Sequence, residues 1–294
     1  MKNSSKKIGS LLVLLVVGAV SCPQQDYLSI EVDGIMRTCQ LFVPQLEYDY
    51  PIPLVIALHP LFLDSRQMRQ MTRFDAIAER EGFVVAYPDG IARQWDVMFG
   101  GTQDAKFITT LIDVLINNYN VDPDRVYVTG ASNGGMMCHQ LACCAAEKIA
   151  AIAPVMGTPP LPVFFNCDCE EKIPVMIIHG TADAIVPYDG LPIDFGFSSA
   201  PAAALFWAEN NGCGLESTVT RLADVAPNDG TTVDLIKFDC DFECPVLLYR
   251  VNGGGHTWPG NVDFLPQLTW GRVSMDIDAT SLIWNFFRTK RRNP

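Results

Sequence analysis

Val126-Tyr-Val-Thr-Gly130-Ala-Ser132-Asn-Gly134-Gly135-Met136 is the stretch whose reading decides the fold. Gly130 and Gly134 flank Ser132 in the pattern G-x-S-x-G. The pattern alone is weak, because small residues fall together by chance. Its context gives it meaning: a β-branched run, Arg125–Thr129, precedes it and a helix-forming run, Gly134–Cys144, follows it. A serine placed between such elements sits on a strained turn that lifts its hydroxyl clear of the sheet. The glycines are required because side chains there would strike the adjoining strand and helix. The helix N-terminus then offers free amides and positive dipole where an oxyanion develops. The bland reading of the same residues is a glycine-rich strand–helix turn of no catalytic use.

Working outward, strand-like and helix-like segments alternate, which predicts an α/β fold with a mainly parallel central sheet and helices on both faces. Leu28–Val32 and Thr38–Val43 read as an opening hairpin. Leu54–His59 (LVIALH) is a continuous apolar run, as in a buried central strand. Ser65–Arg80 has helical spacing, followed by a strand at Phe83–Tyr87 and a helix at Asp104–Asn118. Further strands are expected at Ala150–Val155, Val175–His179 and Val246–Val251, with helices at Pro201–Asn211 and Asp276–Arg288. Cys167–Lys172 and Pro187–Ala200 read as loop insertions above the C-terminal edge of the sheet, where such folds carry function.

A serine hydroxyl is a poor nucleophile until a base takes its proton. The chain has 4 histidines. His59 precedes the serine, and His139 lies on the serine's own helix, out of reach. In the α/β-hydrolase order the acid and then the histidine follow the nucleophile. His179 leaves no room for an acid between; His256, in Asn252-Gly-Gly-Gly-His256, does. Three glycines beside it favour a close backbone approach over an ordinary surface loop. Among Asp183, Asp189, Asp194, Asp239 and Asp241, Asp183 is chosen because it lies just past the end of an apolar strand. Its role would be to fix the histidine tautomer and stabilise the imidazolium; otherwise it is a turn aspartate. The oxyanion hole needs two amides: Asn133 N–H, directly after the nucleophile, and one from His59-Pro60-Leu61-Phe62. Pro60 has no N–H, so Leu61 is the better donor and Phe62 the fallback. Trp95 and Trp258 are candidates for a substrate wall, against the simpler reading that they pack.

Lys2, Lys6 and Lys7 followed by the apolar run Ile8–Val20 and Ala19-Val20-Ser21 read as a secretory signal peptide over residues 1–21. The run is shorter than the ~20 residues of a spanning helix. Lipid anchoring through Cys22 is the lesser alternative. Residues 22–294 then form a single catalytic domain. Removing the three lysines moves the formal charge from −12 to −15. Such an acidic chain is unsuited to nucleic acid or to anionic membranes. Its 10 cysteines favour disulfides in an exported protein. Zinc is the competing reading of Cys167-x-Cys169 and Cys240-x3-Cys244, but no histidine is suitably spaced nearby. Cys213 is paired with Cys240 or Cys244.

The chain resembles the secreted polyhydroxybutyrate depolymerase, feruloyl esterase and acetylxylan esterase group of the α/β-hydrolase superfamily. The matching pieces are Leu54–His59, Glu81–Gly90, Val126–Met136, His179-Gly-Thr-Ala-Asp183, Val186–Gly190, Asn211-Gly-Cys213 and Gly253–Gly260. The resemblance implies Ser132, Asp183 and His256 as catalytic residues, no cofactor or metal, and a polymeric or small ester as substrate. The chain departs from the group at His59-Pro60, where His-Gly is usual, and in its cysteines: Cys143-Cys144 and Cys167-x-Cys169 look like additions. Two rivals stand beside a serine esterase: a serine peptidase on the same fold, and an inactive glycan- or polymer-binding protein.

Overall fold

The computed structural model describes residues 26–45, 48–97, 101–167, 169, 171–191, 196–241, 243–261 and 270–292. The segment read as a signal peptide, and Cys22, lie outside them.

The strands are β1 (Asp26–Val32), β2 (Ile35–Phe42), β3 (Ile52–Leu58), β4 (Val84–Pro88), β5 (Val121–Ala131), β6 (Ala151–Val155), β7 (Val175–Gly180), β8 (Gly214–Arg221), β9 (Thr232–Asp239) and β10 (Val246–Asn252). They form one sheet in the order β1-β2-β4-β3-β5-β6-β7-β10-β9-β8. The central strands β4-β3-β5-β6-β7-β10 are parallel, and antiparallel pairs close both edges. Residues along β3 alternate between two cores: Leu54, Ile56 and Leu58 face one, Val55 and Ala57 the other. Both faces are therefore covered, and β3 is apolar throughout.

The helices are α1 (Ser65–Thr72), α2 (Phe74–Glu81), α3 (Gln103–Asn118), α4 (Asn133–Cys144), α5 (Leu161–Asn166), α6 (Ala200–Asn210) and α7 (Ala279–Phe287). Phe107, Leu111, Leu141 and Trp207 cover the first core. Met68, Phe74, Ile283 and Phe287 cover the second. Each such side chain contributes about 1.5–3 kcal/mol by leaving water. The single helix expected over Ser65–Arg80 is two helices, because Arg73 adopts a left-handed φ of 54° and its N–H closes on Arg69 O at 2.9 Å. Two elements went unanticipated in the reading of the sequence: the β8–β9 hairpin and short α5.

Two disulfides staple the loops, Cys143–Cys167 and Cys213–Cys240. Cys39 and Cys138 are instead buried thiols of the core, each with its pKa pushed up by burial. Cys213→Ser should cost about 2–4 kcal/mol of stability, read as a lower urea midpoint. An unchanged midpoint would show that this bond adds nothing.

Because the central strands run the same way, their C-terminal ends share one edge. From it leave Pro60–Leu63 after β3, Ser132 after β5, Met156 after β6, Asp183 after β7 and His256 after β10. Among the described residues no helix is long and apolar enough to cross a membrane.

Candidate active site

Ser132 ends β5 and caps α4 with φ 54° and ψ −118°, a conformation costly for any residue with a side chain. The turn is held by Ser132 N–H donating to Val155 O at 2.9 Å and Met136 N–H donating to Ser132 O at 2.9 Å. A Cβ on Gly130 would stand 2.4 Å from Gly134 O, and one on Gly134 would stand 2.2 Å from Leu58 O. The two glycines thus let strand, turn and helix approach within van der Waals limits.

Asp183 and His256 meet because β7 and β10 are neighbours. Thr181 N–H donates to Val251 O and Ala182 N–H to Gly254 O, both at 2.9 Å. A Cβ on Gly180 would lie 2.3 Å from Gly254 O, and one on Gly255 would lie 2.2 Å from Trp270 O. His256 is buried, and its Nδ1 lies 2.7 Å from Asp183 Oδ2. A carboxylate only accepts, so Nδ1 carries the proton and Nε2 keeps its lone pair. Asp183 is oriented in turn by Ile185 N–H and Val186 N–H, each donating to Oδ1 at 2.9 Å.

The other histidines are engaged elsewhere. His59 Nδ1–H donates to Pro60 O at 2.8 Å while its Nε2 accepts from Gly90 N–H at 2.9 Å. His139 Nδ1 accepts from the Trp207 indole at 2.9 Å, and burial pulls its pKa down to about 3. His179 Nε2–H donates to Val186 O at 2.8 Å. His256 instead shares a cavity of about 140 Å³ with Ser132. The remaining wall is apolar: Pro60 together with Leu61, Phe62, Leu63, Met156, Ile185 and Trp270.

Phe62, Ser132 and Met156, with φ of 67°, 54° and 45°, are left-handed non-glycine residues converging on this cavity. Each such conformation costs about 1–3 kcal/mol and persists where its surroundings over-determine it. For Phe62 that surrounding is Arg93, whose carbonyl accepts Phe62 N–H at 2.8 Å. Leu61 N–H has no hydrogen-bond partner among the described residues. The Asn133 amide, first in α4, has no intrahelical acceptor. The fallback donor, Phe62, is thus occupied.

Trp95 and Trp258 do not line the cavity that holds Ser132 and His256. Trp95 is buried behind the site: its indole donates to His59 O at 2.9 Å, its N–H to Asn133 Oδ1 at 2.7 Å, and its carbonyl accepts from Asn133 Nδ2 at 3.1 Å. It braces the Asn133 turn against the loop after β3. Trp258 is buried and donates to Thr280 Oγ1 at 3.0 Å. The aromatic wall is Trp270, whose ring stacks on His256 at 5.7 Å and whose carbonyl accepts His256 N–H at 2.7 Å. Met156 and Ile185 are lining residues that the sequence reading does not single out; the signal within reach was their position in the loops after β6 and β7.

Sheet order, elbow and the Asp183–His256 pair define an α/β-hydrolase. Residues 39–159 match the family model described as Esterase PHB depolymerase. Similar proteins are the bifunctional acetylxylan esterase/xylanase XynS20E of Neocallimastix patriciarum, 36% identical over 46% of this chain and 20% of that one. The putative esterase NocK of Nocardia uniformis subsp. tsuyamanensis is 31% identical over 71% of this chain and 66% of its own length. The probable feruloyl esterase C of Aspergillus terreus is 27% identical over 90% and 93%. The chain thus spans a fifth of the first relative and just under two thirds of the second. Among solved structures, the acetyl xylan esterase from Aspergillus awamori superposes with a TM-score of 0.59 at 19% identity, covering 75% of this chain and 89% of that one, a likeness of fold.

Proposed function

We propose that this chain is an exported serine carboxylic-ester hydrolase that works through an acyl-enzyme and accepts short acyl groups. The supporting observation is the placement of Ser132 and His256 in one apolar cavity, with His256 Nδ1 held by Asp183. His256 Nε2 takes the Ser132 proton as Oγ attacks the ester carbonyl, and Asp183 stabilises the imidazolium. The Asn133 and Leu61 amides receive the oxyanion. The alcohol leaves with the proton from His256. Water, activated by the same imidazole, then releases the acid and restores Ser132. This chemistry needs no metal or organic cofactor.

The acyl group enters a small space closed by Met156 and Trp270, while exposed Leu61, Phe62 and Ile185 offer an apolar rim to the rest of the ester. Acetyl and short hydroxyacyl groups, from plant polysaccharide or polyester, fit such a space. Across p-nitrophenyl esters, kcat/KM should fall by about tenfold or more between the butyrate and the octanoate. Met156→Ala should lengthen the accepted chain. Equal turnover of acetate and octanoate by the unaltered protein would exclude a short acyl pocket. Residues 1–21 serve as the export signal in this reading, and the two disulfides suit an oxidising compartment. Activity towards an ester but not the matching anilide would separate it from a peptidase.

A further inference from the structure

His179 is a buried histidine that the proposed mechanism does not use, yet it touches the acid that the mechanism depends on. Its Nε2 lies 2.8 Å from Val186 O and 3.5 Å from Asp183 Oδ2. Its Nδ1 is buried without a hydrogen-bond partner. An orphaned buried acceptor costs about 1–3 kcal/mol, so the site keeps this ring at a stability loss that a hydrocarbon side chain would avoid.

What the ring does is visible in its partners. Val186 N–H donates to Asp183 Oδ1 at 2.9 Å while Val186 O accepts from His179 Nε2–H. Both backbone groups of Val186 are therefore held, its N–H by the carboxylate it orients and its carbonyl by the imidazole seven residues earlier. Ile185 N–H completes the turn on Asp183 Oδ1 at 2.9 Å. With Oδ1 occupied by two amides, Oδ2 is left facing both His256 Nδ1 at 2.7 Å and the edge of His179.

The geometry points to His179 as a positioning residue: by holding the Val186 carbonyl it fixes the backbone whose N–H groups orient Asp183, so that Asp183 presents Oδ2 to His256. It acts through Asp183 and touches no reacting atom. The inference rests on the hydrolase reading above. His179 does this work uncharged. Burial holds its pKa below the ordinary histidine value, outweighing the nearby Asp183 charge. The groups that face it are Asp183, His256, His139 and the Tyr188 ring at 6.0 Å.

A glutamine at 179 places an amide N–H near the Nε2 position, an asparagine places it near Nδ1, and a phenylalanine offers none. For His179→Phe and His179→Asn, kcat on p-nitrophenyl acetate should fall by about 10-fold to 100-fold with KM within about twofold, as expected for a misplaced catalytic group. The acid limb of kcat/KM should move to lower pH, because an imidazole whose carboxylate is poorly held loses its proton more readily. His179→Gln should recover most of kcat and return the limb. Fluorophosphonate titration counts the folded sites in each sample, so that kcat is per site. A purely structural histidine would lower the unfolding midpoint in all three variants with kcat per site and pH limb unmoved, and that result overturns the inference. Equal losses in the Gln and Asn variants would overturn it as well, and this comparison survives a failure of the Phe variant to fold. Ester turnover by the unaltered protein, read in the same assay, tests the underlying hydrolase reading separately.

Discussion

Ser132→Ala should lower ester hydrolysis by about 10⁴-fold to 10⁶-fold with the fold retained. The size of the effect follows from the cavity wall. Apart from Ser132 and His256 it is hydrocarbon, thioether, proline or indole, so no second hydroxyl, thiol or amine stands within it to inherit the reaction. What survives is whatever the Asn133 and Leu61 amides and substrate binding contribute by themselves. The fold is retained because alanine at φ 54° bears the same backbone cost as serine, and the glycines that allow the close approaches are untouched. Steady-state turnover of p-nitrophenyl acetate, with far- and near-UV circular dichroism on the same sample, reads both halves of this prediction. A variant retaining a tenth of the activity would mean that another group attacks.

Asp183→Asn should produce the second large effect, a loss of about 10³-fold to 10⁴-fold in kcat. The asparagine keeps an oxygen for Ile185 N–H and Val186 N–H, so the turn stays closed. Its NH₂ group then faces His256 Nδ1 where a carboxylate oxygen accepted at 2.7 Å. Two donors cannot share that contact, so the imidazole must place its proton on Nε2, the nitrogen that has to take the serine proton. The neutral amide also removes the charge that stabilises the imidazolium. Circular dichroism on the same sample separates these consequences from unfolding: the variant should keep the parent spectrum while kcat falls. A variant within tenfold of the parent would remove Asp183 from the site.

How far the sequence reveals this protein depends on what each residue has to do. The elbow is legible because absence of a Cβ is its physical requirement. Gly130, Gly134, Gly180 and Gly255 each stand where a Cβ would come within 2.4 Å of a backbone oxygen, and such a requirement is written in residue type. Strand β3 is legible because burial on both faces leaves it apolar throughout. The pairing of Asp183 with His256 follows from chain order, and the sheet order places their strands side by side. Other features depend on tertiary position that residue type does not encode. Every residue of β8 is exposed, so no buried face imposes an apolar alternation on Gly214–Arg221. The break at Arg73 uses a left-handed residue that is not glycine. Trp95 and Trp258 have the composition of a binding wall but bind His59, Asn133 and Thr280 from inside the protein, while Trp270 reaches the cavity because β10 and the Gly-rich loop carry its partner His256 there. Pro60 departs from the usual residue, yet the turn around it occupies Phe62 N–H with Arg93 O and leaves Leu61 N–H unengaged.

Reaction with a fluorophosphonate, followed by peptide mass spectrometry, reads whether Ser132 is a nucleophile activated by His256. Phosphonylation should fall on Ser132, reach one label per chain and track loss of esterase activity, and it should be slow in His256→Ala. An unlabelled Ser132 in protein that still hydrolyses esters, or a label on another side chain, would contradict that role.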